Sequence, residues 1–154
     1  MYHRIVAMKV RGAFDAINKG NYESMLASLA PRFSYCFYGD HALSGERHTV
    51  AAMRLWWERV FRLLPGGHFE LDEVIVAGWP WSTRVATAAT VRVPLPDGSR
   101  YENHVHQIVH MRWAKITRIR TLEDTALLQR ALDVMAAAGH PEAHAAPITD
   151  ADAA

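Results

Sequence analysis

The stretch YENHVHQIVHMRW, residues 101–113, places His104, His106 and His110 at one parity. In a strand these imidazoles share a face, an arrangement that can serve a metal ion. Glu123 or His110 would have to complete the ligand set. No zinc motif accompanies the pair, and one cysteine, Cys36, offers no thiolate cluster. The expectation is therefore an outer or interface face, with no metal. The interleaved residues of opposite parity, Asn103 and Gln107, are amides able to donate to a carbonyl. Further along, Arg120 and Asp124 could respectively hold an oxyanion and move a proton. A carboxyl desolvated by aromatic neighbours has a raised pKa, which suits that task. Tyr35, Trp56, Trp57 and Phe61 could line an apolar site. Each group also has a structural role open to it: Asp124 as a helix N-cap, Arg120 as its ion-pair partner, the aromatics as core.

Positioning these groups is the work of the surrounding elements. Val6, Val10, Phe14 and Ile17 recur at helical steps and predict a helix over 3–18. A short second helix over 22–29 is capped by Asn21, and FSYCFY at 33–38 reads as a strand. Thr49 caps a third helix with Val50, Met53, Trp56, Trp57, Val60, Phe61 and Leu64 on its apolar side, ended by Pro65-Gly66-Gly67. Strands follow at 69–78, 83–95, 100–112 and 115–123. Their turns fall at Trp79–Ser82, Asp97-Gly98 and Trp113-Ala114. The last helix starts near Asp124 or Thr125 and stops at Gly139. Helices gathered on one face of a curved antiparallel sheet make an α+β domain over 1–139. Residues 140–154 lack apolar periodicity and read as a flexible tail.

A two-residue turn at Trp113-Ala114 opposes Arg112 to Lys115. One face then holds Val105, Val109, Met111, Ile116 and Leu122 with Asn103, Gln107, Arg120 and Asp124. The other holds Ile108 and Ile119 with the three histidines and Glu123. Burying an aliphatic side chain contributes about 1.5–3 kcal/mol. The first set is thus the expected inside, unless a bulge changes the parity.

The bulk numbers fit one soluble domain. The chain has 154 residues, 50% of them hydrophobic, and a formal charge of +1. No basic run exceeds two residues, so neither a nucleic-acid nor an anionic-membrane surface is indicated. The N-terminus lacks a signal-peptide apolar run, and no apolar stretch reaches spanning length. A cytoplasmic location is expected.

In order and spacing, NKGNYESMLASLAPRFSY, LSGERHTVAAMRLWWERV, PDGSRYENHVHQIVHM and AKITRIRTLEDTALLQ resemble the NTF2-like superfamily, within it the SnoaL-like, polyketide-cyclase-type group. The resemblance covers about residues 3–138. It departs at Arg32, where an Asp often stands, and at Ala114, which replaces a turn glycine. It implies a cone whose curved sheet wraps a pocket, and a homodimer through the outer sheet face. It places Asp124 at the position of a cyclase acid/base carboxylate, and Asp40 in the region that supplies a base in ketosteroid isomerases, although an Asx turn also suits Asp40. The implied function is binding of a small, apolar, oxygenated ligand, with cofactor-free cyclase, isomerase or dehydratase chemistry. A binder or assembly module without turnover is the alternative. Epoxide hydrolysis by Arg100, Glu102 and Glu123 is a second.

Overall fold

The computed structural model describes residues 1–154. Its elements are α1 (Tyr2–Asn18), α2 (Glu23–Ser28), β1 (Leu29–Phe37), β2 (Gly45–Arg47), α3 (Val50–Leu63), β3 (His68–Trp79), β4 (Ser82–Pro94), β5 (Arg100–Arg112), β6 (Lys115–Leu122) and α4 (Thr125–Ala137). Thr49 caps α3 as expected, its side chain accepting from the Ala52 N–H. The strands form one sheet in the order β2-β1-β6-β5-β4-β3. All neighbours are antiparallel except β1 and β6, which run parallel. The sheet is thus mixed rather than purely antiparallel. Bulges in the β3–β4 and β5–β6 pairings interrupt its pleat, and such insertions bend and twist a strand.

The β5–β6 bulge decides which side chains face the core. Trp113 and Ala114 have φ of 50° and 63°, as a tight primed hairpin turn requires. Arg112 opposes Lys115 and Met111 opposes Ile116, as the turn predicts. The next pair is His110 with Arg118, so Thr117 is the inserted residue. Beyond it Val109 faces Ile119 and Gln107 faces Thr121. The parity of β5 is as expected, with Tyr101, Asn103, Val105 and Val109 buried and His104 and His106 exposed. That of β6 is reversed. Ile119 and Thr121 are buried, while Arg118 and Leu122 are exposed. The physical reason is charge. The unbulged register would turn two arginines, 118 and 120, into the apolar interior, and a buried unpaired charge costs more than an exposed Leu122.

The core joins the inner sheet face to α3 and α4 through Trp56, Trp57, Val60, Leu63, Leu128, Leu132 and Met135. Helix α1 lies across β3, where the Asn18 side chain both donates to the Phe69 carbonyl and accepts from the Phe69 N–H, each at 2.8 Å.

Residues 140–154 do not form the free tail that composition suggests. Pro141–His144 and Asp150–Ala153 are 3₁₀ turns, the first packed mainly on α4 and the second on α3. Ala143 and Ile148 are buried, and Glu142 pairs with Arg59 at 3.2 Å and Arg62 at 2.7 Å. Side-chain anchors spaced too irregularly for periodicity hold this segment down.

Candidate functional site

Between the inner sheet face and α1, α2 and α3 lies a cavity of about 730 Å³, lined mostly by hydrophobic side chains. That size suits a drug-sized ligand. Ile5, Lys9, Ser24, Ala27, Ala114 and Lys115 combine a place in its wall with solvent exposure. They mark the opening, between α1, α2 and the β5–β6 turn. Tyr101 and Glu123 stand at the opposite ends of β5 and β6, deep in the cavity.

Glu123 is the carboxyl of this interior. It follows β6 on the parity that the bulge turns inward. Its Oε1 accepts a hydrogen bond from the Tyr101 hydroxyl at 2.8 Å. No Lys, Arg or His forms an ion pair with it. Burial raises its pKa to about 7, the Tyr101 hydrogen bond opposes the rise, and the Asp124 charge adds to it. Burial also pushes Tyr101 above the usual phenol range, with the Glu123 charge next. Asn103 fixes the pair. Its Nδ2 donates to the Tyr101 hydroxyl at 2.9 Å and to the Asp124 carbonyl at 2.8 Å, while its Oδ1 accepts from the His104 N–H at 2.8 Å. Every capacity of this buried amide that matters to the strand ends is used.

Halfway along the wall a second polar group forms. The Gln107 Nε2 donates to Thr121 Oγ1 at 3.0 Å, and Thr121 Oγ1 lies 3.4 Å from the Tyr35 hydroxyl. Burial pushes Tyr35 up to about 12, so it stays a neutral phenol. Thr87 Oγ1 and Trp57 Nε1 are buried without a hydrogen-bond partner, and both residues line the cavity. Such groups are rare in folded proteins and are commonly completed by water or a ligand.

The expected site residues separate into those in the wall and those outside it. Tyr35, Trp57 and Gln107 line the cavity. Phe61 stands behind Trp57, stacked on it at 5.9 Å, and Asn103 supports Tyr101 from the side. The three candidate catalytic residues are not brought together. Asp124 is exposed, and its carboxylate accepts from the Ala126 and Leu127 N–H groups at 3.0 and 3.2 Å, capping α4. Asp40 is exposed in the loop after β1. Arg120 pairs across the sheet with Cys36 and Ile108, on the outer face. The epoxide-hydrolase arrangement does not assemble either, since Arg100 and Glu102 are exposed and Glu102 binds Arg92 at 2.8 Å. As an N-cap, Asp124 yields a direct expectation. Asp124→Ala should lower stability by about 1 kcal/mol in a denaturant titration and leave ligand affinity unchanged; a tenfold loss of affinity would restore it to the site.

Unbroken alternation along β6 puts Glu123 outside, and the spacing of two isoleucines is the signal against it. Ile116 and Ile119 both line the cavity. Residues three apart cannot share a strand face without a bulge.

The fold and the apolar cavity define an NTF2-like α+β cone. The chain belongs to the SnoaL-like domain family, whose profile matches residues 10–119. No curated protein sequence matches it. Among solved structures, an NTF2-like protein of unknown function from Burkholderia pseudomallei is similar at 20% identity, with a TM-score of 0.72 over 81% of this chain and 95% of that one. IdmH, a putative polyketide cyclase from Streptomyces antibioticus, is similar at 17% identity and a TM-score of 0.68, covering 82% and 97%. TerC, co-crystallised with polyporic acid, is similar at 19% identity and 0.67, covering 80% and 95%. At these identities the likeness is one of fold.

Proposed function

We propose that this protein binds a small, largely apolar, oxygenated molecule in the cavity and moves a proton on it with Glu123. One observation carries the reading: a half-buried carboxyl with no cationic partner, poised near neutral pH, at the deep end of an apolar cavity. A general acid/base works best when its pKa lies near the working pH. A structural carboxylate removed from water is ordinarily paired with a cation. The Tyr101 hydroxyl, held by Asn103, stabilises charge on Glu123 or on a substrate oxygen in its place. Gln107, Thr87 and Trp57 supply hydrogen bonds along an otherwise greasy wall. The reaction class is cofactor-free isomerisation, cyclisation or dehydration, by proton transfer at a carbon beside a carbonyl. The putative cyclase IdmH and the polyporic-acid complex of TerC support a ligand of this character.

A surrogate ketone tests this without knowing the natural substrate. The α-protons of 2-tetralone in D₂O, followed by ¹H NMR, should exchange faster with the protein present. Glu123→Gln should abolish the acceleration. Saturable binding without any exchange, in wild type and variant alike, would instead assign a carrier without turnover.

We also assign pairing of two copies to the outer sheet face. There Ile75, Ala86 and Ile108 align in one row across β3, β4 and β5, and Ile75 and Ile108 are exposed.

A further inference from the structure

We infer that the β3–β4 and β5–β6 turns, with the start of α1, dock the protein on an anionic lipid surface, with the cavity opening beside the docked face. Trp79, Trp81 and Trp113 form one cluster, with ring centroids 5.9 Å apart for the first pair and 6.3 Å for the second. They are 65%, 54% and 64% exposed. Tryptophan is costly to leave in water and is enriched at the membrane–water boundary, where its apolar ring and N–H are both accommodated. The cluster is held in place. The Trp113 N–H donates to the Pro80 carbonyl at 2.6 Å, joining the two turns. His3 bonds the Gly78 carbonyl at 2.7 Å and Tyr2 bonds Thr83, which fixes the first turn of α1 at the same end. Met1, Ile5 and Met8 recur at helical steps on one side of that segment, and all are exposed.

Charge supports a lipid surface over a protein partner or a second copy. Residues 1–14, 74–96 and 103–122 contain none of the chain's 16 acidic residues. At this end Arg4, Lys9, Arg84, Arg112 and Lys115 are exposed, and none forms an ion pair. The net charge of +1 conceals this, because the acids lie elsewhere. A second copy seated on this end, over the tryptophans, would bring like charges together, whereas a bilayer with anionic headgroups satisfies cations and tryptophans at once. The expectation from sequence of no membrane surface rested on runs of basic residues; here three separate segments contribute. The opening adjoins Ala114 and Lys115, next to Trp113. An apolar ligand dissolved in the bilayer would enter without crossing water. That delivery role rests on the ligand reading above; the docking does not.

The test is sedimentation of the full-length protein with vesicles of pure phosphatidylcholine, or of phosphatidylcholine with about one-third phosphatidylglycerol. Tryptophan emission is recorded in parallel. Binding to the mixed vesicles, weak on the neutral ones, falling with salt and accompanied by a blue shift, is expected. R4Q/R84Q/R112Q should weaken it by about fivefold per charge removed. W79S/W81S/W113N should abolish the blue shift, asparagine being chosen because it tolerates the positive φ of position 113. Unchanged melting temperatures confirm that both variants fold. No binding to mixed vesicles overturns the inference, as does binding that neither variant alters. A concentration-dependent dimer lost in the tryptophan variant, without vesicle binding, overturns it in favour of self-association. Retained ketone exchange in a variant that no longer docks leaves the cavity reading intact.

Discussion

Glu123→Gln is expected to lower proton-exchange activity by about a thousandfold while raising stability at pH 8, and the opposite signs are its diagnostic. The activity loss follows from removing a general base, an effect typically worth a hundredfold to ten-thousandfold. The stability gain follows from linkage. Burial raises the Glu123 carboxyl from 4.5 to about 7 in the folded chain. The native state therefore binds a proton more tightly than the unfolded state, and between these values stability falls as pH rises. The favourable contribution is fully present below the unfolded value and lost as pH passes 7. Each pH unit separating the two values costs about 1.36 kcal/mol, which makes the penalty above pH 7 about 3–4 kcal/mol. Glutamine keeps the shape and never ionises, so that slope should vanish from urea titrations run from pH 4 to pH 8. Tyr101→Phe provides the companion result. Without the hydroxyl hydrogen bond the carboxylate is less favoured, so the rising limb of the pH–rate profile should move to higher pH. If Glu123→Gln leaves both the rate and the pH slope unaltered, the carboxyl is not desolvated as described and the acid/base reading fails.

Why Glu123 was hidden, while the fold was not, is a matter of which forces leave a periodic trace. The helices α1, α3 and α4 declare themselves through apolar residues at helical steps, and Thr49 declares its cap. The strands β3 to β6 declare themselves through alternation and through Asp97-Gly98 and Trp113-Ala114. The histidine face was legible because β5 is regular where those residues lie. The side of β6 was not, because a single inserted residue, Thr117, reverses everything after it. An insertion has no periodicity of its own. Its trace is indirect: Arg118 and Arg120 alternate with Ile119 and Thr121, and solvation of the arginines outweighs the exposure of Leu122. Asp124 occupies the carboxylate position of the family pattern, yet the free N–H groups of α4 take its carboxylate. The parallel pairing of β1 with β6 was equally silent, since it joins strands far apart in sequence through the same backbone groups that an antiparallel neighbour would use.

Arg47→Met is expected to destabilise the protein by about 2–4 kcal/mol and to release residues 140–154. Arg47 is completely buried and has no carboxylate in contact. Its guanidinium donates to three carbonyls instead, Ser44 at 3.0 Å, Gly45 at 3.2 Å and Ile148 at 2.8 Å. It also lies 5.5 Å from the Tyr35 ring centroid and 5.3 Å from that of Trp56. Burial pulls its pKa below the usual arginine value, but arginine remains charged in proteins. Carbonyls and aromatic faces thus offset a buried cation, and one of those carbonyls belongs to the C-terminal segment. Methionine fills much of the space but leaves acceptors unsatisfied, at about 1–3 kcal/mol for each that water cannot reach. For a chain of this size that is a fall in melting temperature of roughly 5–12 °C. Limited proteolysis should then cut after Gly139, where wild type resists. Arg47→Lys should recover only part of the loss, because one ammonium lacks the planar fork that serves three acceptors. Tyr35 and Trp56 line the cavity, so the same cation braces the site from behind. Affinity for a fluorescent apolar probe should weaken in step with the melting temperature. A variant that melts like wild type and keeps its C-terminal segment protected would mean that the 3₁₀ turns dock through Glu142 and Asp150 alone.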